Sequence, residues 1–190
     1  ERFKKDIKHF FLLKKIRLSK IINIFKYLDY LNFFQNQNKH HILKIGTKNI
    51  ENKEITINKI LQAYQNVILK IDIEGDEYKI LEQVLYNSNK INTLIIEFHN
   101  IHKNIDKIKN FISKSKILKL IHIHSNNYGG SNKDGDPNVV ELTFTSVNNN
   151  NIDLIKTNKS FPIKDLDFKN IDRIHDVYLK FNDWKNLYSL

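Results

Sequence analysis

The fold of this chain is decided by the stretch Val67-Ile68-Leu69-Lys70-Ile71-Asp72-Ile73-Glu74-Gly75-Asp76-Glu77-Tyr78. A short apolar run bounded by turn residues is typical of a buried strand, and this one ends in carboxylates and a glycine. A segment with helical spacing follows at once, so the stretch predicts a strand, a sharp turn and a helix. In an open α/β sheet, ligands bind in the crevice beyond the carboxyl ends of the strands. The sequence therefore predicts an α/β fold with a site at this turn.

The length and composition indicate a globular chain with one core. It has 190 residues, enough for one core but too few for two full domains. We predict a single domain with a helical lead-in over residues 1–38, an α/β core over 39–146 and a C-terminal extension over 147–190. No apolar run approaches the roughly 18 residues of a membrane span. Cysteine is absent, which excludes disulfides and permits a reducing compartment, and we expect a cytoplasmic location.

The net charge of +10 raises the question of nucleic-acid binding. The lysines are dispersed among asparagines and isoleucines, and no recognisable nucleic-acid motif organises them. Lys, Asn and Ile share A/T-rich codons, so genome composition is a sufficient cause of the charge. We therefore expect no nucleic-acid partner, and the sequence gives no indication of the oligomeric state.

The lead-in has the spacing of one or two amphipathic helices that end at the break Asn36–Asn38. Such a helix either covers one side of a sheet or lies on a membrane surface, and we favour the first because the apolar stripe is broad. The apolar positions that fit a helical face are Ile7, Phe10, Phe11, Ile21, Ile24, Phe25, Leu28 and Leu31.

Strand and helix patterns alternate through the core and predict a mainly parallel, Rossmann-like sheet with helices on both faces. The last strand can return antiparallel to its predecessor, which would place an antiparallel closing strand at the sheet edge. A long loop at 125–138 and a polar linker at 148–151 separate the later elements. Strands are predicted at 41–45, 67–73, 93–98, 118–124 and 139–145, and helices at 56–64, 77–85 and 105–112.

Asp72 and Glu74 are the first candidate site residues, because Gly75 lets the backbone turn sharply beside them. A carboxylate at a strand end can accept hydrogen bonds from hydroxyl groups, bind a divalent cation or act as a base. We favour such a role because charged groups among buried apolar residues are costly. For Asp76 and Glu77 we expect only a structural role, in which they complement the dipole of the next helix.

The next two strands end in ionisable and polar groups as well, namely Glu97 and His99, then His124 and Asn126. Parallel strand ends share one edge, so these side chains are expected in one crevice with the first pair. Carboxylates and imidazoles are suitable ligands for Mn or Zn, but isolated histidines are usually ordinary hydrogen-bonding groups, and we assign no metal ligand. Glu141 is equally well explained as a structural partner of a basic neighbour.

The stretch at 69–78, with Ile80-Leu81 and then Ile95-Ile96-Glu97-Phe98-His99, resembles the FkbM family of S-adenosylmethionine-dependent methyltransferases. That family shows a K-I-D-I-E-G-x-E strand end followed by a strand that bears Glu. The resemblance runs from about Ile42 to Phe181. Its later parts, which look like a subgroup of the family, are His122-Ile123-His124-Ser125-Asn126-Asn127, Glu141-Leu142-Thr143-Phe144 and Pro162…Leu166-Asp167…Asn170.

The resemblance implies a seven-stranded methyltransferase fold and methyl transfer to a hydroxyl of a sugar or similar small metabolite. Its small-molecule or glycan substrate would be oriented or deprotonated by Asp72 or Glu74. Glu97, His99, His124 and Asn126 would form the substrate pocket, and Gly75 would contact the cofactor S-adenosylmethionine.

The chain departs from the family pattern in its glycines, which stand at 46, 75, 129, 130 and 135. No G-x-G-x-x-G or P-loop occurs, and the glycine-rich turn that holds the methionine part of the cofactor is missing. Segments 42–45, 67–73 and 94–98 would then be the third, fourth and fifth strands. We expect the N-terminal strands to lie upstream of Glu1; the alternative is a non-catalytic binding module derived from the same fold.

Overall fold

The computed structural model describes residues 18–35, 38–147 and 162–179. The chain divides into two compact units, Glu1–Ile42 and Leu43–Leu190. The predicted helical positions before residue 18 and the predicted linker at 148–151 lie outside the described residues. The single-domain organisation stays a prediction.

In the first unit, helix α1 spans Leu18–Phe33, so the prediction of a helix in the second half of the lead-in is confirmed. The ring of Tyr30 contacts Phe34 edge-on at 4.9 Å between centroids and stacks on Tyr27 at 6.2 Å. The Tyr30 hydroxyl also forms a hydrogen bond with His40. Within the described residues, no helix combines the length and apolar character needed to cross a membrane.

The second unit alternates strands and helices, as the core pattern predicts. The predicted helix at 77–85 is interrupted: its first turn is a 3-10 turn, and the α-helix begins at Leu81. In chain order the elements are β1 (Lys44–Ile45), β2 (Glu54–Ile55), α2 (Ile57–Ile60), β3 (Val67–Ile71), α3 (Leu81–Tyr86), β4 (Ile91–His99), α4 (Ile101–Lys114), β5 (Leu118–Ser125) and β6 (Val139–Ser146), with 3-10 turns at Leu61–Ala63, Glu77–Lys79, Ser88–Lys90 and Asn127–Gly129.

The main sheet has four strands in the order β3-β4-β6-β5. Strands β3 and β4 pair in parallel, whereas β6 is antiparallel to both β4 and β5. The sheet is therefore mixed, and the prediction that the antiparallel strand forms its edge is wrong. Val140, Leu142 and Phe144 of β6 are fully buried, as expected for a strand with partners on both sides, whereas Ile121 of the edge strand β5 is 44% exposed.

The two faces of the sheet differ in chemistry. In β4, Leu94, Ile96 and Phe98 are fully buried on one face, while the alternate positions Glu97 and His99 are on the other. Burial is worth about 1.5–3 kcal/mol for each large apolar side chain, so the apolar set fixes which face turns inward. The buried core includes Ile71, Ile80, Leu81, Val84, Ile91, Leu94, Ile96, Phe98, Ile108, Phe111, Ile112, Leu118, Ile123, Val140, Leu142 and Phe144.

Helix α4 covers the apolar face, since the ring of Phe111 meets Phe144 edge-on at 5.5 Å. In the 3-10 turn before α3, the ring of Tyr78 packs on Phe98 at 5.4 Å between centroids. The apolar spacing of both segments therefore serves the same core. Helices on both faces of the sheet stay a prediction.

The predicted strand at 41–45 does not belong to the main sheet. Only Lys44 and Ile45 are strand residues, and they pair in parallel with Glu54 and Ile55. The backbone N–H groups of Lys44 and Gly46 donate to the carbonyls of Lys53 and Ile55 at 2.9 and 3.0 Å. Because these local partners satisfy the strand, the expectation that 42–45 forms the third strand of the main sheet is wrong.

Gln83 of α3 connects the small sheet to the rest of the second unit. Its side-chain N–H group donates to the carbonyl of Gly46 at 3.0 Å, and its side-chain oxygen accepts from the N–H of Ile57 at 2.9 Å. The Lys44 ammonium adds a contact of 2.8 Å to the carboxylate of Asp76. The small sheet is thereby fixed near the turn that follows β3.

We predict that Asp76→Asn changes how stability depends on pH. The hydrogen-bonded ammonium groups of Lys44 and Lys79 lower the pKa of Asp76 from 3.8 to about 2. A folded-state pKa below the unfolded one contributes stability that is present above pH 4 and is lost as pH falls toward 2. Thermal melts should therefore show the wild type and Asp76→Asn converging across that window. The exposed Asp106→Asn serves as control, and a difference that stays constant with pH would contradict the prediction.

The described part of the C-terminal extension, residues 162–179, is fixed against the end of β5. Asp167 lies 2.7 Å from Nε2 of His122 and accepts the N–H of Ile163 at 2.6 Å. The buried side chain of Asn127 donates to the carbonyls of Ile171 and Ile174 at 2.9 and 3.1 Å. The extension is thus held by buried polar contacts as well as by apolar ones.

Candidate active site

The site lies where β3 and β4 end side by side. The register pairs Ile71 with Ile96, so the next residues along the two parallel strands, Asp72 and Glu97, are neighbours. One ligand atom each of Asp72, Glu97 and His99 lies within 4.8 Å of the other two. The structure therefore brings together three residues that the sequence predicts for the site.

Glu97 has a mostly buried carboxylate, with 13% of its side chain exposed. Burial and the charge of Asp72 raise its pKa, although the hydrogen bond from Asn126 and the proximity of His99 act in the opposite direction. Nδ2 of Asn126 donates to Oε1 of Glu97 at 3.2 Å. Asn126, predicted to bind substrate, thus also orients a carboxylate of the site.

His99 is held in place by the buried carboxylate of Glu77. Oε1 of Glu77 accepts the backbone N–H of His99 at 2.7 Å and lies 3.2 Å from its Nδ1. Nε2 faces the site, 3.5 Å from Oε1 of Glu97 and 3.4 Å from Oε2 of Glu74. The imidazole therefore has one nitrogen fixed by the fold and the other directed at carboxylates.

Glu77 is the residue that sequence reasoning missed. The expected structural role is confirmed and Glu77 is in the first turn of the 3-10 segment, but its side chain is fully buried and Oε2 accepts the N–H of Gly75 at 2.8 Å. The adjacent Tyr78 supports the same strand end, since its hydroxyl donates to the carbonyl of His99 at 2.6 Å. Burial and the charge of Glu77 raise the pKa of Tyr78, so its hydroxyl stays a donor. Glu77 and Tyr78 together fix the backbone of His99.

Glu74 and Gly75 form the turn itself. Glu74 has φ of +55° and Gly75 has φ of +102°. Positive φ is disfavoured for residues that have a Cβ atom and is readily adopted by glycine. Glu74 is 85% exposed at its side chain. The N–H of Gly75 is donated to Glu77, so the glycine shapes the turn through its backbone.

We predict that Gly75→Ala destabilises the fold by about 1–3 kcal/mol, the usual cost of a residue in a sparsely populated backbone conformation. A Cβ at this position would meet no atom within 4 Å, so the cost is conformational and not steric. Chemical denaturation measures it as a shift of the unfolding midpoint. An unchanged midpoint would show that the turn adjusts without cost.

His124 does not join the cluster. It pairs with Glu141 of β6, and Glu141 pairs in turn with Glu97. Two strand spacings of about 4.8 Å each put His124 roughly 10 Å from Glu97 along the sheet. Lys70 contacts Glu141 at 2.8 Å, and this hydrogen bond raises the pKa of Lys70. The interpretation of Glu141 as the partner of a basic residue is confirmed.

The fold is that of an α/β protein with a mixed sheet, in which carboxylates and an imidazole gather at the ends of two parallel strands, the edge where open α/β sheets commonly bind ligands. Comparison with family models gives the particular family: the methyltransferase FkbM domain matches residues 24–129, more than half of the 190 residues. The chain therefore belongs to the FkbM methyltransferase family. Comparisons with curated proteins and with solved structures return no significant match.

Proposed function

We propose that the protein is an S-adenosylmethionine-dependent methyltransferase that methylates a hydroxyl oxygen of a sugar or similar small metabolite. The observation that carries the proposal is the convergence of Asp72, Glu97 and His99 at one strand edge in a chain of the FkbM methyltransferase family. Proton acceptors gathered in a crevice are what the deprotonation of a hydroxyl requires.

The donor set of the site fits the cofactor in charge. S-adenosylmethionine supplies a methyl group on a positively charged sulfur, and the carboxylates at these strand ends favour a cation. Asp72 and Glu97 would face that charge, and the charge of Asp72 already contributes to the raised pKa of Glu97. A bound cation would relieve the repulsion between the two carboxylates.

The proposed roles divide according to exposure. Asp72, which is exposed, accepts a hydrogen bond from the substrate hydroxyl and takes its proton, and the exposed Glu74 is the second candidate for this step. Glu97, His99 and Asn126 are half-buried and held by hydrogen bonds, so they position the substrate. Holding the hydroxyl within about 3–3.5 Å of the methyl group is the main contribution of such a pocket.

The test is methyl transfer from radiolabelled S-adenosylmethionine to a panel of sugars and small alcohols, with binding measured by calorimetry. Both are done on this 190-residue chain and on the product of the intact gene. We expect the intact product to bind the cofactor and to form a base-stable methyl ether. A base-labile label would show transfer to a carboxylate, and the absence of cofactor binding by the intact product would favour the non-catalytic binding module.

A further inference from the structure

We propose that Asp72, Glu97 and His99 form a binding site for a divalent transition-metal ion, with Mn²⁺ as the best representative. In the sequence the ligand types suit Mn or Zn, but they do not show that the side chains meet, and no metal ligand is assigned there. Two carboxylates and an imidazole are a ligand set that Mn²⁺, Fe²⁺, Co²⁺ and Zn²⁺ accept, whereas Mg²⁺ and Ca²⁺ prefer oxygen ligands only. The proposal follows from the geometry of the three side chains.

The distances suit a shared ion. The three ligand atoms lie within 4.8 Å of one another, and Nε2 of His99 is 3.5 Å from Oε1 of Glu97. Adjacent ligands at about 2.1 Å from an octahedral ion lie roughly 3 Å apart. Small rotations of the side chains bring all three atoms into one coordination shell, and the exposed Asp72 is free to make the largest one.

The orientation of His99 is the stronger argument. Glu77 is fully buried and accepts from Nδ1, which is the carboxylate–histidine arrangement that stands behind metal-ligating histidines. This contact occupies Nδ1 and leaves Nε2 as the ring nitrogen that can meet a ligand. Nε2 lies 3.5 Å from a carboxylate oxygen of Glu97 and 3.4 Å from one of Glu74. A divalent cation between Nε2 and these oxygens would coordinate both kinds of ligand.

Glu97 has the matching support. Nδ2 of Asn126 donates to its Oε1 at 3.2 Å, and ligating carboxylates are commonly held by such hydrogen bonds. The side chains of Glu97 and His99 are only 13% and 14% exposed, so water does not fully solvate the two groups that face each other. Two of the three proposed ligands are therefore oriented by the fold before any ion arrives.

The local charge points the same way. The whole chain has a net charge of +10, yet this strand edge gathers carboxylates, and the Lys70 ammonium group is engaged by Glu141 at 2.8 Å. Three protein ligands leave further coordination positions for water or for hydroxyl oxygens of a substrate. That last role rests on the proposed function; metal binding itself does not. The carboxylates of this edge are Asp72, Glu74, Glu77, Glu97 and Glu141.

The experiment is a titration of the chain with Mn²⁺ alone, in which electron paramagnetic resonance measures the concentration of free Mn²⁺. We expect one saturable site. Asp72→Asn, at an exposed position that the fold tolerates, should weaken it roughly tenfold or more, since even outer-shell changes cost about 10- to 100-fold. His99→Gln should act likewise, and Asp106→Asn on the exposed side of α4 should have no effect.

Two results would overturn the site: no saturable Mn²⁺ binding, or equal affinity in the wild type and Asp72→Asn. The second result would identify the bound ion as adventitious. A methyl-transfer assay before and after chelation separates this proposal from the function. Mn²⁺ binding without methyl transfer by the intact product overturns the function alone, and methyl transfer without saturable Mn²⁺ binding overturns the metal site alone.

Discussion

Asp72→Asn is expected to lower the rate constant of methyl transfer by about 10²- to 10⁴-fold, the usual contribution of a positioned general base. Asparagine keeps the shape of the side chain and one acceptor oxygen, but it cannot take a proton. Asp72 lies directly after β3 and beside Glu97, where the two charges influence each other. Because the side chain is exposed, the substitution should leave the free energy of unfolding nearly unchanged.

The measurement is kcat and KM for the intact product, with Asp76→Asn as the matched control. Asp76 lies on the same turn but binds Lys44 and Lys79, so its amide variant should retain kcat. A loss in kcat at Asp72 with KM little changed would place the residue at the reacting hydroxyl. An unaltered kcat would remove Asp72 from the mechanism and leave Glu74→Gln as the test of the second candidate.

The sequence was enough to predict which residues of the site stand at the ends of strands. A carboxylate after an apolar run and the pair Glu97 and His99 at the end of the next run are local patterns. Their meeting depends on the parallel register of β3 and β4, which no local pattern specifies. His124 was predicted to lie in the same crevice, and its strand β5 was located correctly. However, β6 lies between β4 and β5 and separates His124 from the other site residues.

The elements of the topology were predictable, and their pairing was predictable in part: β6 is antiparallel to its predecessor β5, as predicted. The bounds of β4 and β6 were predicted to within a few residues, because a strand that buries one face has alternating apolar residues in its sequence. Which strand pairs with which is decided by contacts between distant segments, so the interior place of β6 was missed. The prediction for Lys44–Ile45 was wrong for a different reason. The apolar pattern of so short a strand does not show whether it pairs within the main sheet or with a nearby segment.

A signal for Glu77 was present in the sequence. It stands three, four and seven residues before Ile80, Leu81 and Val84, all of which are buried, so helical spacing places it on the inward face. When a charged residue falls on the apolar face of a predicted helix, either the helix is wrongly predicted or the residue is buried with specific partners. Because Glu77 was expected only to complement a helix dipole, its helical spacing was not used to predict that it is buried.

We therefore expect Glu77→Ala to destabilise the fold by about 3 kcal/mol or more. The substitution leaves the N–H groups of Gly75 and His99 without the acceptors they have at 2.8 and 2.7 Å, and each buried unsatisfied group costs about 1–3 kcal/mol. Glu77→Gln should cost less, because its amide oxygen still accepts one of the two N–H groups while its NH₂ group opposes the other.

Chemical denaturation of Glu77→Ala beside Glu82→Ala makes the comparison quantitative. Glu82 is 75% exposed on α3 and contacts Lys114 at 3.1 Å, and exposed ion pairs of this kind contribute about 0–1 kcal/mol. If the two variants lose equal stability, Glu77 does not hold the two strand ends together. If Glu77→Ala alone unfolds early, the fixed orientation of His99, and every role proposed for its Nε2, depends on a carboxylate that never meets the solvent.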